Sequence, residues 1–324
     1  MTKKYTLAPT TLDDVWDRFM QKSPDRSIFL HSQYMKNAGC RMGLYHCYNA
    51  NELRAIVGLV ESPDGSAAIL DDLIIYSGIC FAPASYGQTP VQVISERFEI
   101  STFLAGQLAK QYSSIRFALA PTVSDIRPFL WHNYGHENGR YSVDIRYTSF
   151  LDISDFANAS CLEDVTAYQL ATGARRQQIR YAIRDRISTI QMDDISVLID
   201  FYRKTLARQG ELVDDIKIER IANLVKSLLD DDLAIMLASY TADAGLGSIV
   251  VFAYDENKAY YLFGASDPAF RSTAIGTAIL WSGFQELSMR GLREVDLEGV
   301  NSPKRGWFKL SFGGTLNPYY QVSY

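Results

Sequence analysis

The pattern of apolar and polar positions predicts one order of elements twice along the chain. In the first half, helical periods cover residues 11–22, 32–40 and 90–112. Strand patterns there cover residues 44–48, 53–60, 67–70, 73–81, 115–120 and 143–153. In the second half, helical periods cover residues 160–170, 174–186, 195–208, 216–229 and 273–289. Strand patterns there cover residues 233–240, 248–254, 259–264 and 294–297.

This repetition predicts an α/β (α+β) chain of two similar domains. The length of 324 residues exceeds the usual size of a single hydrophobic core. We place the domains at residues 1–155 and 156–324. Because no low-complexity linker separates the halves, we expect them to pack together, with a ligand in the cleft between them.

The amino-acid composition and net charge argue against several classes of protein. Hydrophobic residues make up 47% and charged residues 21%, which is typical of a globular protein. The formal charge of -5 argues against broad binding to DNA. No apolar run approaches the roughly 18 residues of a membrane span. The start of the sequence lacks the apolar core of a secretory signal, so we expect a cytoplasmic protein.

Several catalytic templates are missing from the sequence. There is no GxSxG elbow, no Walker A loop and no HExxH helix. The four cysteines have no CxxC spacing, and all four histidines lie in the first half. We therefore expect no metal site and no tightly bound cofactor.

A loop rich in small residues is the first candidate site. It follows the strand at 259–264 and opens the helix at 273–289. The free N–H groups of a helix start bind phosphate, and small residues let a ligand approach them closely. The candidate ligand-binding residues are Arg271, Ala274, Gly276, Thr277 and Ala278. The alternative is an ordinary turn between a strand and a helix.

Other polar residues are candidates for catalysis or substrate binding. Glu298 follows a strand and is a candidate base, and Tyr261 is a candidate proton donor to a leaving group. Arg175, Arg176 and Arg180 have the spacing of one helix face, which suits a clamp on phosphates. The alternatives are a solvated basic face for the arginines and a packing role for the tyrosine.

Two motifs in the second half resemble those of known acyltransferases. Residues 273–278 are similar to the Gln/Arg-x-x-Gly-x-Gly/Ala loop of the GNAT superfamily, with Gly276 and Ala278 in place and Thr273 where Gln or Arg is usual. The ending Phe308-Lys309, Phe312-Gly-Gly and Tyr319-Tyr320 closely resembles that of Fem-type and BioF2-like transferases. Further similar segments occur in the same order at residues 29–34, 83–87, 125–131, 147–152 and 175–182.

The resemblance implies two tandem GNAT-like domains with mixed, mostly antiparallel sheets and the donor site in the second. It implies that Lys309 handles the reacting carbonyl or the acyl donor, and that Tyr319 contributes to substrate binding. The implied enzyme is an N-acyltransferase that moves an acyl group from acyl-CoA, as co-substrate, to an amine. The acceptor is then a small molecule or a sugar- or lipid-linked amine, as in cell-wall or surface-polysaccharide metabolism.

Two alternatives stay open at this point. A Fem-type enzyme uses aminoacyl-tRNA as donor and acts on a peptidoglycan precursor. A doubled fold that has lost catalysis serves instead as a binding or scaffold protein. The helix at 90–112 in the first half has no glycine-rich loop before it, so the first domain is the stronger candidate for such a loss.

Overall fold

The computed structural model describes residues 4–210, 214–243 and 245–324. The chain divides into two compact units. The first unit contains the described residues up to Arg146 together with Pro318–Tyr324, and the second contains Tyr147–Asn317. The final residues belong to the first unit because Gln321–Ser323 pair with the strand at 116–118.

The described residues form thirteen strands and ten α-helices. The strands are β1 (Tyr5–Pro9), β2 (Arg41–Asn49), β3 (Glu52–Glu61), β4 (Ala67–Ile69), β5 (Gly78–Phe81), β6 (Ser114–Ala118), β7 (Ser142–Asp152), β8 (Ser188–Gln191), β9 (Ala234–Tyr240), β10 (Leu246–Tyr254), β11 (Lys258–Ser266), β12 (Glu294–Asp296) and β13 (Thr315–Ser323). The helices are α1 (Asp14–Lys22), α2 (Ser32–Asn37), α3 (Pro90–Gln111), α4 (Arg127–Leu130), α5 (Thr166–Leu170), α6 (Gly173–Arg184), α7 (Ile195–Gln209), α8 (Asp215–Asp230), α9 (Ile275–Met289) and α10 (Pro303–Leu310). None of the helices within these described ranges is long and apolar enough to cross a membrane.

The first unit is built on the sheet β1-β2-β3-β4-β6-β13, with β5 paired to β3. Only β4 and β6 among these pairs run parallel, and the others are antiparallel. Helix α3 covers this sheet with Ile100, Leu104 and Leu108 in the core. Its amphipathic period explains why the sequence predicts it almost to the residue.

Two helix starts in the first unit, those of α1 and α3, are closed by side chains. Asp13 caps α1, since its carboxylate accepts from the N–H groups of Val15 and Trp16. The expected start at residue 11 is therefore corrected to Asp14, because Asp is the stronger cap. Thr89 and Gln92 form a reciprocal capping box at the start of α3.

The second unit is built on the sheet β7-β12-β11-β10-β9-β8. Its single parallel pair among the described strands is β11 with β12. Helix α9 packs Phe284 and Leu287 against this sheet, where they meet Phe252 and Phe312. The α/β class with mixed, mostly antiparallel sheets is thus confirmed.

Five elements are not predicted from the sequence pattern. These are β1, β8, β13, α4 and α10. Helix α10 contains Pro303, Gly306 and several cations, so it carries neither a long apolar stripe nor strong helix formers. It nevertheless holds Lys309, and its position decides the geometry of the candidate site.

Candidate active site

Two parallel strands of the second unit separate and leave a slot between them. β11 and β12 pair only as far as Tyr260 with Asp296. β11 then continues on β10, whereas the N–H groups of Leu297 and Val300 donate to carbonyls of β7. Beyond Tyr260, alternate residues of β11 turn their N–H and C=O groups to an edge that no described strand occupies.

A β-bulge lies at the mouth of this slot. Val251 opposes Phe263 and Phe252 opposes Tyr261, so Leu262 is the extra residue on β11. The bulge brings the Tyr261 hydroxyl over Gly264, where an added Cβ would lie 1.9 Å from that oxygen. A glycine is therefore required at residue 264 to hold Tyr261 in this orientation.

Asp296 shapes the backbone at the other side of the slot. Its Oδ1 accepts from the Thr148 hydroxyl and, at 2.8 Å, from the Glu298 N–H. Glu298 itself adopts a positive φ of 50°, which is uncommon outside glycine. The strand ends at Asp296, so the two acidic side chains do not follow strand alternation. Asp296 instead fixes the turn that directs Glu298.

Glu298 is a buried carboxyl group with an unsatisfied oxygen. It is 7% exposed, and its Oε1 has no hydrogen-bond partner within the described chain. Burial raises the pKa of Glu298 well above its usual range, and the charge of Asp296 raises it further. The surroundings of Glu298 therefore favour the neutral form of its carboxyl group.

Lys309 reaches the same point from α10. Its Nζ donates to the Glu298 carbonyl oxygen at 3.2 Å and lies 4.7 Å from the centre of the Tyr261 ring. Burial lowers the pKa of Lys309 to about 8. Burial also raises the pKa of Tyr261 to about 12, so its hydroxyl stays protonated at neutral pH. The structure thus brings together the three residues expected to be catalytic.

The approach of α10 to this cluster depends on Gly306. A Cβ at residue 306 would stand 2.4 Å from the Val300 carbonyl oxygen, and the Gly306 N–H donates to the Ser302 carbonyl at 2.7 Å. Any larger residue pushes the helix away from residues 298–300. Gly306 is therefore needed for α10 to bring Lys309 close to Glu298.

The small-residue loop opens α9 without a side-chain cap. Ala274 is the N-cap residue, and a Cβ on Gly276 would lie 3.3 Å from the Ser266 hydroxyl. Ala274 and Ala278 are buried and pack on Ala182 of α6, so their side chains contribute to the core and only their backbone faces the loop. Arg271 is exposed and precedes the helix by one turn.

Arg175 lies at this helix start. One guanidinium nitrogen donates to the Thr277 hydroxyl and Nε donates to Ser311 at 2.9 Å. The guanidinium carbon lies 4.3 and 4.4 Å from the ring centres of Phe308 and Phe312. No carboxylate pairs with Arg175 in the parts of the chain that the structure describes, and burial lowers its pKa to about 10.

The three arginines of α6 do not form one clamp. The side chain of Arg176 donates to the Gln169 carbonyl at 3.5 Å, and Arg180 donates to the Tyr168 hydroxyl at 2.7 Å. Both therefore turn toward α5, away from the partners of Arg175. The expected shared face is corrected, because residues 176 and 180 are one turn apart whereas residue 175 lies on the neighbouring face.

Tyr319 belongs to the first unit. It is 5% exposed, and its ring centre is 5.2 Å from that of Tyr76. The sequence pattern does not single out Thr148 or Arg305. Arg305 precedes Lys309 by one turn, a spacing that becomes a signal once α10 is known to be helical.

Among the described residues, no group of His, Cys, Asp and Glu is arranged to hold a metal ion.

Comparisons with known proteins agree with this architecture. An acetyltransferase (GNAT) domain model matches residues 166–305. The crystal structure of FemX superposes with a TM-score of 0.63 at 12% identity, covering 97% of this chain and 96% of FemX. L-PGS from Bacillus licheniformis gives a TM-score of 0.56 at 12% identity, covering 95% and 90%.

A tandem GNAT protein from the clavulanic acid biosynthesis pathway gives a TM-score of 0.54 at 10% identity, covering 98% of both chains. No curated protein matches the sequence significantly. At these identities the likeness concerns the fold. The chain therefore has a GNAT/Fem-like fold of two tandem GNAT-like units, with an acetyltransferase domain match in the second.

Proposed function

We propose that the second unit is an N-acyltransferase that moves an acyl group from an acyl-CoA thioester to an amine. The observation that carries this proposal is the unsatisfied, buried Oε1 of Glu298 beside Lys309 at an open strand edge. A buried polar atom without a partner is costly in a structural role. A ligand nitrogen in the slot supplies the missing partner.

The chemistry follows from the charges in the slot. An ammonium acceptor lowers the pKa of Glu298 through its positive charge, and the resulting carboxylate takes a proton from the nitrogen. The neutral nitrogen attacks the thioester carbonyl, the C–N bond forms and the C–S bond breaks. The second proton of the former ammonium passes to the departing sulfur, so that the thiol is released. The Lys309 ammonium stabilises the developing oxyanion. The Tyr261 hydroxyl donates a hydrogen bond to the leaving thiolate.

The donor phosphates fit the start of α9. The helix start carries no side-chain cap, and Gly276 allows close approach. Arg175 is a half-buried cation, and no carboxylate of the described residues pairs with it. A helix N-terminus and an unpaired guanidinium both favour an anion. GNAT domains typically use acetyl-CoA, and the matched domain includes this helix. We propose that acetyl-CoA or a related thioester binds there, and that the protein works in cell-wall or surface-polysaccharide metabolism.

Calorimetric titration with acetyl-CoA and with free CoA at low salt tests the donor. We expect micromolar affinity that Arg175→Ala weakens about tenfold or more. Arg184→Ala is the matched control, because Arg184 lies on the same helix but pairs with Asp185 in solvent. Circular dichroism checks that the variants fold.

The absence of binding by a folded wild-type protein would contradict a thioester donor. Titration with aminoacyl-tRNA then tests the Fem-type alternative. If that donor does not bind either, a scaffold role becomes the better explanation.

A further inference from the structure

The exposed end of α10 carries a cation that has no ion-pair partner among the described residues. Arg305 is exposed on the first turns of α10 and makes no ion pair within the described residues. Ser302 supplies no side-chain cap to this helix, and Pro303 at its first position has no N–H. The positive end of α10 and the guanidinium thus face solvent together.

Arg305 shares a helix face with Lys309. The two residues are four apart, which places their Cβ atoms about 5–6 Å from each other. Two cations at this spacing repel, so the arrangement is unfavourable without an anion. Burial is the main influence on the pKa values of Lys309 and Tyr261, and the positive charge of Arg305 acts to lower both. The guanidinium is therefore close enough to the slot to affect its charged groups.

A second, independent feature marks the inner end of the same slot. Glu298 is more than nine-tenths buried and its Oε1 lacks a partner. The slot therefore has a buried carboxyl group that requires a nitrogen and an outer guanidinium that requires an anion.

We infer that the acceptor is an amine that also carries an anionic group, a carboxylate or a phosphate, and that Arg305 binds this group while Glu298 receives the amine. This inference rests on the proposed N-acyltransferase activity. The planar fork of arginine pairs with either anion through two parallel hydrogen bonds. Amino acids and amino-sugar phosphates have both groups within a few bonds.

Acetyl transfer from acetyl-CoA to matched acceptor pairs tests the inference. The pairs are glycine with glycinamide and glucosamine 6-phosphate with glucosamine, which separate a carboxylate from a phosphate. We expect the wild type to prefer the charged member of one pair. Arg305→Ala should reduce that preference, measured as the ratio of kcat/KM values, about tenfold through KM of the acceptor.

The controls distinguish this inference from the proposed function. Arg293→Ala, an exposed arginine before β12 at the opposite end of that strand, should keep the wild-type preference. An unchanged preference in Arg305→Ala, or a raised KM for acetyl-CoA alone, would overturn the inference while leaving acyl transfer intact. Failure of the wild type to acetylate any amine would instead overturn the proposed function and this inference with it.

Discussion

Two glutamates, one in each unit, show opposite surroundings of a carboxyl group: Glu96 is partly exposed and Glu298 is buried. Glu96 lies on α3 of the first unit, beside a cavity of about 550 Å³. Its two oxygens accept from Arg54 at 2.6 and 2.8 Å, and Gln88 donates to it as well. Arg54 lowers the pKa of Glu96, whereas burial raises the pKa of Glu298.

The difference separates a structural carboxylate from a reactive one. A carboxylate whose oxygens are all paired stabilises the fold and leaves little capacity for a ligand. A carboxyl group held dry and unpaired is poorly stabilised until a ligand arrives, which is the usual environment of a catalytic acid or base. The starts of α3 and α9 differ in the same way. The N–H groups at the start of α3 are bound by Thr89 and Gln92, whereas α9 has no side-chain cap.

The largest expected effect is on catalysis. Glu298→Gln removes the proton acceptor and should lower kcat for acetyl transfer by about 100-fold or more, since general bases contribute that much. Glu96→Gln is the matched control and should keep kcat near the wild-type value. Steady-state kinetics with a saturating amine measures both. An equal loss of kcat in the two variants would contradict the assignment of a catalytic role to Glu298 and a structural role to Glu96.

The next effect is on the pH profile. If the Lys309 ammonium stabilises the oxyanion, the rate should fall as pH rises through its pKa of about 8. At pH 9.5 the loss relative to a permanently charged variant is roughly 10- to 30-fold. In the Lys309→Arg variant the rate should no longer fall as pH rises above 8, because arginine stays charged. We expect the rate of this variant at pH 7 to be lower than that of the wild type.

Comparing the two profiles with one acceptor cancels the titration of the amine itself. A wild-type rate that instead rises through pH 8, relative to Lys309→Arg, would identify neutral Lys309 as a base.

Stability should change in opposite directions at the two glutamates. The pKa of folded Glu298 is raised, so the folded state keeps a proton that the unfolded state loses, and stability decreases as pH rises above about 4.3. Glu298→Gln should therefore stabilise the protein at pH 7, by on the order of 1–3 kcal/mol.

The pKa of Glu96 is lowered, so its contribution is present above about 4.3 and is lost as pH falls. Glu96→Gln should destabilise the protein at pH 7 by roughly 1–3 kcal/mol, and less at pH 4. Urea denaturation at both pH values measures these differences. A destabilising effect of Glu298→Gln at pH 7 would show that the Glu298 carboxylate is paired after all.

The smallest effect concerns the helix starts. Thr89→Ala removes one half of the capping box on α3 and should cost about 1 kcal/mol of stability. It should leave acetyl-CoA affinity unchanged, because the start of α3 is occupied by its own side chains. Thermal denaturation and calorimetric titration of the same sample check both results. Weaker donor binding in Thr89→Ala would place a donor at the first unit instead.

The sequence alone determined the elements with strong periodicity and the small residues that permit close contacts. The long helices α3 and α9 and the strands β9, β10 and β11 follow from regular apolar spacing, which local chain geometry imposes. The Gly276 loop and the Phe308-Lys309 ending indicated a GNAT/Fem-like fold, now confirmed. These signals are local, so one sequence suffices to carry them.

Only the tertiary structure decided which polar groups meet. The slot arises because β12 leaves β11 after Asp296, and the dry environment of Glu298 arises because α10 packs on residues 298–300 through Gly306. It also separated Arg175 from Arg176 and Arg180, and it revealed Arg305 one turn before Lys309. Burial and unsatisfied hydrogen bonds depend on residues distant in sequence, and the spacing of residues along one chain contains no information about them.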